Sequence, residues 1–338
     1  MMNNRFKTAI IGCGGISLTH ITALQAIDNA DIVAICDIRE DRLENAAKLC
    51  PDAAKYTDYK KLLAESDAQI IHICTPHYLH AEMAIASMLS GRDVYLEKPC
   101  AMNRAQAQEI IDVSDKTGKK VCVSFQNRLI NTTANAKKIA DNGELGKLIG
   151  GKGIVTWSRG GAYYTESGWR GQFTTEGGGV LMNQSIHTLD LLYYFLGEVE
   201  SVKGHASLDK NFDVTEVEDT AQAYIRFKNG STAIFYATNC NVVNSHVEIE
   251  LYFEKGSLLF RDDELYRCSD GKIELVCKNE NLLNGKNYWG NGHIRMISNF
   301  YDAVNGNNVY YCDIRDAVQV LEIIEEIYKG SDIRPENI

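Results

Sequence analysis

The sequence predicts an α/β chain of two domains: a doubly wound parallel sheet first, then an α+β domain with a largely antiparallel open sheet. Three observations carry this. Short apolar runs separated by amphipathic segments fill the first 125 residues, a glycine-rich turn lies between the first run and the first helix, and beyond residue 199 strand-like runs follow one another without helices between them. At 338 residues the chain is about twice a typical domain, so we expect one domain over 1–125 and a second over 126–338, with the C-terminal helix able to pack back towards the first.

Thr8-Ala9-Ile10-Ile11 is the first apolar run, and it stops at Gly12-Cys13-Gly14-Gly15-Ile16-Ser17. Leu18, Ile21 and Leu24 then recur at helical spacing. Further buried strands are expected at 32–36, 70–74, 94–96 and 121–123, with amphipathic helices such as 81–89 and 105–114 crossing between them. In such a strand, turn and helix, Gly12 permits the tight turn and Gly14 lets backbone approach a pyrophosphate, whose charge meets the open N–H groups at the helix start. This is the glycine pattern of a Rossmann dinucleotide site, with Ser17 where a third glycine or alanine is usual. Asp37, twenty residues beyond Ser17, is placed to accept from the adenosine ribose hydroxyls and to repel a 2′-phosphate. The sequence therefore favours NAD, while Arg39 and Arg42 leave NADP open.

In the second half, strands are expected at 199–206, 220–227, 231–236, 247–253 and 257–260, joined by short polar turns such as Lys228-Asn229-Gly230. Asn183, His187 and Asp190 are spaced to share a helix face, with Leu181, Ile186, Leu189 and Leu192 on the others.

Composition excludes several classes. Net charge is −10, from 45 acidic and 35 basic side chains, which gives no general attraction to nucleic acid or an anionic membrane. No apolar run approaches the roughly 20 residues of a membrane span, and the N-terminal residues are polar, so a soluble cytoplasmic protein is expected. The ten cysteines are scattered without a Cys-x-x-Cys pair, which fits free thiols in a reducing compartment rather than disulfides or zinc. His187, Asp190 and His293 are possible metal ligands by type, but they form no tight cluster in sequence, and no metal is expected.

The glycine turn, Thr75-Pro76-His77-Tyr78-Leu79-His80, Glu97-Lys98-Pro99 and the block Trp169-Arg170-Gly171 with Glu176-Gly177-Gly178-Gly179-Val180-Leu181-Met182-Asn183-Gln184-Ser185-Ile186-His187 together resemble the Gfo/Idh/MocA family of oxidoreductases, in this order and over 8–328. The resemblance implies a nicotinamide-dependent enzyme acting on a CH–OH group of a sugar, cyclitol or related polyol, working as a homodimer or homotetramer through the open sheet. It implies cofactor contacts at Gly12, Gly14, Gly15, Ile16, Asp37, Ile38, Arg42, Thr75, Pro76, His80, Glu97, Lys98 and Gln126. Catalysis falls to Lys98, His187 and Asn183, and substrate contacts to Lys98, Tyr163, Trp169, Arg170, Asn183 and His187. Tyr288-Trp289 are further pocket candidates, and Pro99 is a candidate for a cis peptide. Many members of the family carry aspartate where this chain has Asn183; asparagine hydrogen-bonds a hydroxyl but takes no proton, so proton transfer moves to His187 and Lys98. Two other readings remain: an enzyme that oxidises its sugar only transiently, and a retired relative that keeps NAD as a sensor.

Overall fold

The computed structural model describes residues 5–211, 213–261, 263–280 and 291–336, which leaves Tyr288 and Trp289 outside the described residues. Two units emerge. The first comprises 5–126 with 293–318, and the second 127–292 with 319–336.

In the first unit, strand and helix alternate as β1 (Phe6–Ile11), α1 (Ser17–Gln25), β2 (Ala30–Cys36), α2 (Glu40–Ala47), β3 (Ala54–Tyr56), α3 (Tyr59–Glu65), β4 (Ile70–Ile73), α4 (His80–Leu89), β5 (Asp93–Leu96), α5 (Arg104–Thr117) and β6 (Val121–Val123). All neighbours pair in parallel in the order β3-β2-β1-β4-β5-β6. The order reverses direction on either side of β1, and β1 runs into Gly12 and β4 into Cys74-Thr75, so both turns open at the strands' carboxyl ends, where such sheets bind ligands. Ile10, Ile35, Ile70, Ile71 and Val94 are fully buried, as a sheet covered on both faces requires. The edge strand β3, half polar and three residues long, carries too little apolar signal to be read from sequence.

The second unit runs α6 (Asn131–Asp141), β7 (Leu148–Thr156), α7 (Gly161–Thr165), α8 (Ile186–Leu196), β8 (Val199–Ser207), β9 (Thr220–Phe227), β10 (Thr232–Thr238), β11 (Glu248–Phe253), β12 (Gly256–Arg261), β13 (Glu264–Ser269) and β14 (Lys272–Lys278). Its eight-stranded sheet has the order β14-β13-β12-β11-β7-β10-β9-β8. All pairings are antiparallel except β7 with β10. The central β7 was not expected from sequence, because Gly150, Gly151 and Gly153 interrupt its apolar run. Those glycines let α8 lie close: a Cβ on Gly153 would stand 2.7 Å from Thr188 Cγ2 and 3.0 Å from Leu192 Cδ1. Helix α9 (Gly292–Val304) goes with the first unit, and α10 (Ile314–Lys329) passes from the first unit to the second after Val318.

All ten cysteines are free thiols. Those of the first unit, Cys13, Cys36, Cys50, Cys74, Cys100, Cys122 and Cys312, are buried, whereas Cys240, Cys268 and Cys277 of the second are partly exposed. No described helix is long and apolar enough to cross a membrane.

Candidate active site

In the first unit the glycine turn is held from both sides. Gly12 has φ of 92°, and a Cβ there would lie 2.6 Å from Cys74 O, so the turn admits no side chain. Ser17 Oγ donates to Gly14 O at 2.6 Å, which lets serine close the turn where a third glycine is usual. Asp37 accepts from Cys13 N at 2.7 Å and from Arg39 N at 2.9 Å, so the carboxylate at the end of β2 is tied to the glycine turn itself. Each carboxylate oxygen keeps a second lone pair for a ribose hydroxyl. A Cβ at Gly14 would meet nothing nearer than Arg42 Nη1 at 3.8 Å, and no side chain caps the start of α1. This uncapped cradle beside an anchored carboxylate fits a dinucleotide. Ile38 projects into solvent, and Arg39 is engaged by Asp41 at 2.7 Å, which removes one of the two arginines that could have welcomed a 2′-phosphate.

The next two motifs are joined by one imidazole. His80 is fully buried, with Nδ1 2.7 Å from Pro99 O and Nε2 2.9 Å from Thr75 O. Burial holds its pKa below the usual value, so the neutral ring donates to one carbonyl at a time. It thereby fastens the Thr75-Pro76 turn to the Lys98–Pro99 peptide, which is cis. Lys98 is half-buried and Gln126 is buried, with Ser124 Oγ 3.5 Å from its Oε1.

Behind Lys98 lies a network that sequence reasoning missed. His20 Nε2 donates to Glu97 Oε1 at 2.9 Å, His20 Nδ1 faces His72 Nδ1 at 2.9 Å, His72 Nε2 is 3.0 Å from the Tyr301 hydroxyl, and that hydroxyl is 2.6 Å from Thr8 Oγ1. His293, at the start of α9, brings Nε2 to 3.9 Å from the same Glu97 oxygen. Burial pushes the Glu97 carboxyl up, but the hydrogen bond and charge of His20, with His293 and Lys98, reverse this and hold it well below the usual range. Among the described residues, His20, Glu97 and His293 are the trio with metal-ligating atoms in reach of one another, within 4.8 Å, and the His20–Glu97 hydrogen bond accounts for that approach without an ion. The signal in the sequence was three histidines at otherwise apolar positions.

In the second unit, every residue from Glu176 to Leu192 is buried except Asn183 and His187. Helix α8 starts only at Ile186, so Asn183 sits in the turn before it rather than on the helix, and the two side chains emerge from a packed wall by different means. Asp190, expected beside them, is bound instead by Arg128, whose Nη2 lies 2.6 Å away in a pair sealed from solvent. Asn183 Nδ2 donates to Glu176 Oε1 at 2.7 Å and to the Tyr163 hydroxyl at 3.1 Å, which occupies both amide hydrogens. Glu176 also accepts from Gly171 N at 2.6 Å. Burial pushes its carboxyl up to about 7, opposed by the hydrogen bonds from Asn183 and Gly171 and by the charge of Arg170. Gln184 Nε2 donates to Tyr163 at 2.6 Å, while Arg170 lies over the rings of Tyr163 and Trp169 at 4.4 and 4.9 Å. Tyr163, Trp169, Arg170 and Asn183, picked out separately in the sequence, are thus one connected group.

Residues 6–125 match the model of the oxidoreductase family with an NAD-binding Rossmann fold, and 133–259 match the GFO/IDH/MocA C-terminal domain. The chain is 25% identical to D-glucoside 3-dehydrogenase of Escherichia coli (strain K12), covering 98% of this chain and 97% of the relative. It is 27% identical to myo-inositol 2-dehydrogenase of Thermotoga maritima over 75% of this chain and 74% of that one. Among solved structures, the WlbA dehydrogenase of Bordetella pertussis, in complex with NADH and UDP-GlcNAcA, superposes with a TM-score of 0.84 at 27% identity, covering 97% and 96% of the two chains. With both halves of the family signature matched, the chain belongs to the Gfo/Idh/MocA family of NAD-binding oxidoreductases.

Proposed function

We propose that this oxidoreductase is an NAD-dependent dehydrogenase of a sugar or cyclitol, in which Lys98 holds the reacting oxygen and His187 takes its proton. The observation that carries the reading is the pair Asn183 and His187, the two positions left open in an otherwise buried stretch of seventeen residues from Glu176 to Leu192. A bound NAD supplies the hydride acceptor. Gly12, Gly14, Gly15 and Ile16 cradle its pyrophosphate, Asp37, Ile38 and Arg42 meet the adenosine ribose, and Thr75, Pro76, Glu97 and Gln126 serve the nicotinamide end, with His80 fixing the backbone there. The Lys98 ammonium donates to the substrate oxygen and stabilises negative charge as the C–H bond breaks; the O–H proton passes to the His187 imidazole, which leaves a ketone. With both its amide hydrogens occupied, Asn183 meets a neighbouring substrate hydroxyl as an acceptor through Oδ1. Tyr163, Trp169 and Arg170 form the substrate wall.

Relatives that act on a glucoside and on inositol support the substrate class. A cytoplasmic homo-oligomer is part of the same reading; exposed Tyr224, Ile234 and Tyr236 on neighbouring strands of the open sheet support the oligomer. The expected outcome is steady NADH formation with a polyol or sugar, lowered about 100-fold or more in Lys98→Ala and in His187→Ala while NAD affinity stays within about threefold. Turnover near that of the parent protein in either variant removes that residue from the mechanism. NADH bound but never released points to transient oxidation instead.

A further inference from the structure

Trp157, Arg159, Tyr163, Arg170 and Trp169 form an alternating stack of rings and guanidinium groups within the second unit. The Arg159 guanidinium lies 4.9 Å from the Trp157 ring centre and 5.4 Å from that of Tyr163; Arg170 lies 4.4 Å from Tyr163 and 4.9 Å from Trp169. The backbone holds one end of the stack rigidly. Trp157 N donates to Thr238 O at 2.8 Å and Arg159 N to Asn239 O at 2.9 Å, so the residues after β7 are sewn to the end of β10 and the residue beyond it. Asn239 in turn donates to Gln184 Oε1 at 2.9 Å, which ties the stack to the turn carrying Asn183.

A guanidinium stacked on a ring uses its flat face, and the N–H groups at its rim stay available for the oxygens of a carboxylate or phosphate. Arg159 commits Nη1 to Ser158 O and Asn244 Oδ1, both at 2.8 Å. The Arg170 side chain makes no hydrogen bond or ion pair among the described residues, and its Nε is buried without a partner. The carboxylate nearest in effect, Glu176, spends its oxygens on Gly171 and Asn183. Two arginines on one tyrosine, neither paired with an acid among the described residues, are a concentration of positive charge in a chain whose net charge is −10. A half-buried cation without an anion is costly, so the arrangement is incomplete until a ligand brings one.

We propose that Arg159 and Arg170 bind an anionic group of the substrate, a carboxylate or a phosphate, so that the enzyme acts on an acidic or phosphorylated sugar rather than on a neutral polyol. Calling that ligand the substrate rests on the dehydrogenase reading above; the anion site itself does not.

The test is calorimetric binding to the full-length, NAD-loaded protein of five probes: myo-inositol, D-glucuronate, glucose 1-phosphate, UDP-GlcNAc and UDP-GlcNAcA. At least one anionic probe is expected to bind about tenfold or more tightly than myo-inositol and to weaken when NaCl is raised from 0.05 to 0.5 M, while myo-inositol does not. D-glucuronate as the tight probe identifies a carboxylate; glucose 1-phosphate or UDP-GlcNAc identifies a phosphate. Arg170→Gln is expected to lose about tenfold for that probe and Arg159→Gln several-fold, with Arg170→Lys between parent and Arg170→Gln because it keeps the charge without the fork. Neutral and anionic probes binding alike, no anionic probe binding, or an unchanged preference in both glutamine variants overturns the proposal. Anion binding without NADH formation from any probe leaves the site standing and sinks the dehydrogenase reading, whereas NADH formation from a neutral polyol, unaffected by Arg170→Gln, sinks the anion site alone.

Discussion

Glu97 in the first unit and Glu176 in the second are both sealed from water, at 6% and 0% exposure, yet they are driven in opposite directions. Burial alone pushes either carboxyl up. Glu97 receives its hydrogen bond from an imidazole, with a second imidazole and the Lys98 ammonium nearby, and its anion is held. Glu176 receives its bonds from neutral amides, and Arg170 acts on it only weakly, so burial wins. Depth sets the penalty on a carboxylate; the charge of its donors decides whether the penalty stands. The first unit thus keeps a fixed negative charge next to its lysine, while the second keeps a carboxyl able to gain or lose a proton near neutrality beside its asparagine.

The contrast can be broken most severely at His20. His20→Ala leaves the Glu97 anion buried without its main donor and is expected to cost about 3 kcal/mol or more in urea unfolding at pH 7. A loss below about 1 kcal/mol shows that other groups hold the charge.

The next effect has a sign as well as a size. Glu176 titrates at about 7 in the folded protein against an ordinary 4.5, so the folded state binds the proton more tightly. Its contribution is fully present below pH 4.5 and is lost as pH rises through 7, about 3 kcal/mol across that window at most. Glu97, with a lowered value, contributes stability above pH 4.5 that is lost only in acid. Unfolding free energies at pH 5 and pH 8 should therefore fall more for the parent protein than for Glu176→Gln, and equal falls would show that Glu176 is ionised throughout.

The smallest effect sharpens the comparison at Asn183. Asn183→Asp sets a second carboxyl against Glu176 where an amide donated, and kcat/KM is expected to drop about tenfold. Adding Glu176→Gln restores a donor and an acceptor in reversed order, so the double variant should recover most of the loss. Losses that simply add would mean that the pair is not coupled.

What was legible in the sequence was local. The turn at Gly12, the dipeptide Thr75-Pro76, the cis Lys98–Pro99 and the stretch from Trp169 to His187 are each encoded within a few residues, and the apolar runs gave the first sheet without its edge strand β3 and the second without β7, β13 and β14. What was not legible is brought together by the fold. The chain from Glu97 through His20, His72 and Tyr301 to Thr8 draws on residues nearly three hundred positions apart, from Thr8 to Tyr301. Arg128 with Asp190, and Arg159 with Tyr163 and Arg170, are likewise partners only in space. Strand β7 escaped because its glycines, chosen for the approach of α8, erase the pattern that marks a strand. In helix α9, Met296, Phe300 and Val304 recur at helical spacing, a pattern that carries no hint of which unit the helix joins.

The partition of the thiols makes the two units chemically distinguishable without any added label. Burial pushes Cys13, Cys36 and Cys100 up to about 12, and every cysteine of the first unit is out of a reagent's reach while that unit is intact. An alkylating agent will therefore modify Cys240, Cys268 and Cys277 first, and later adducts will time the breathing of the cofactor-binding half, residue by residue, in the native protein.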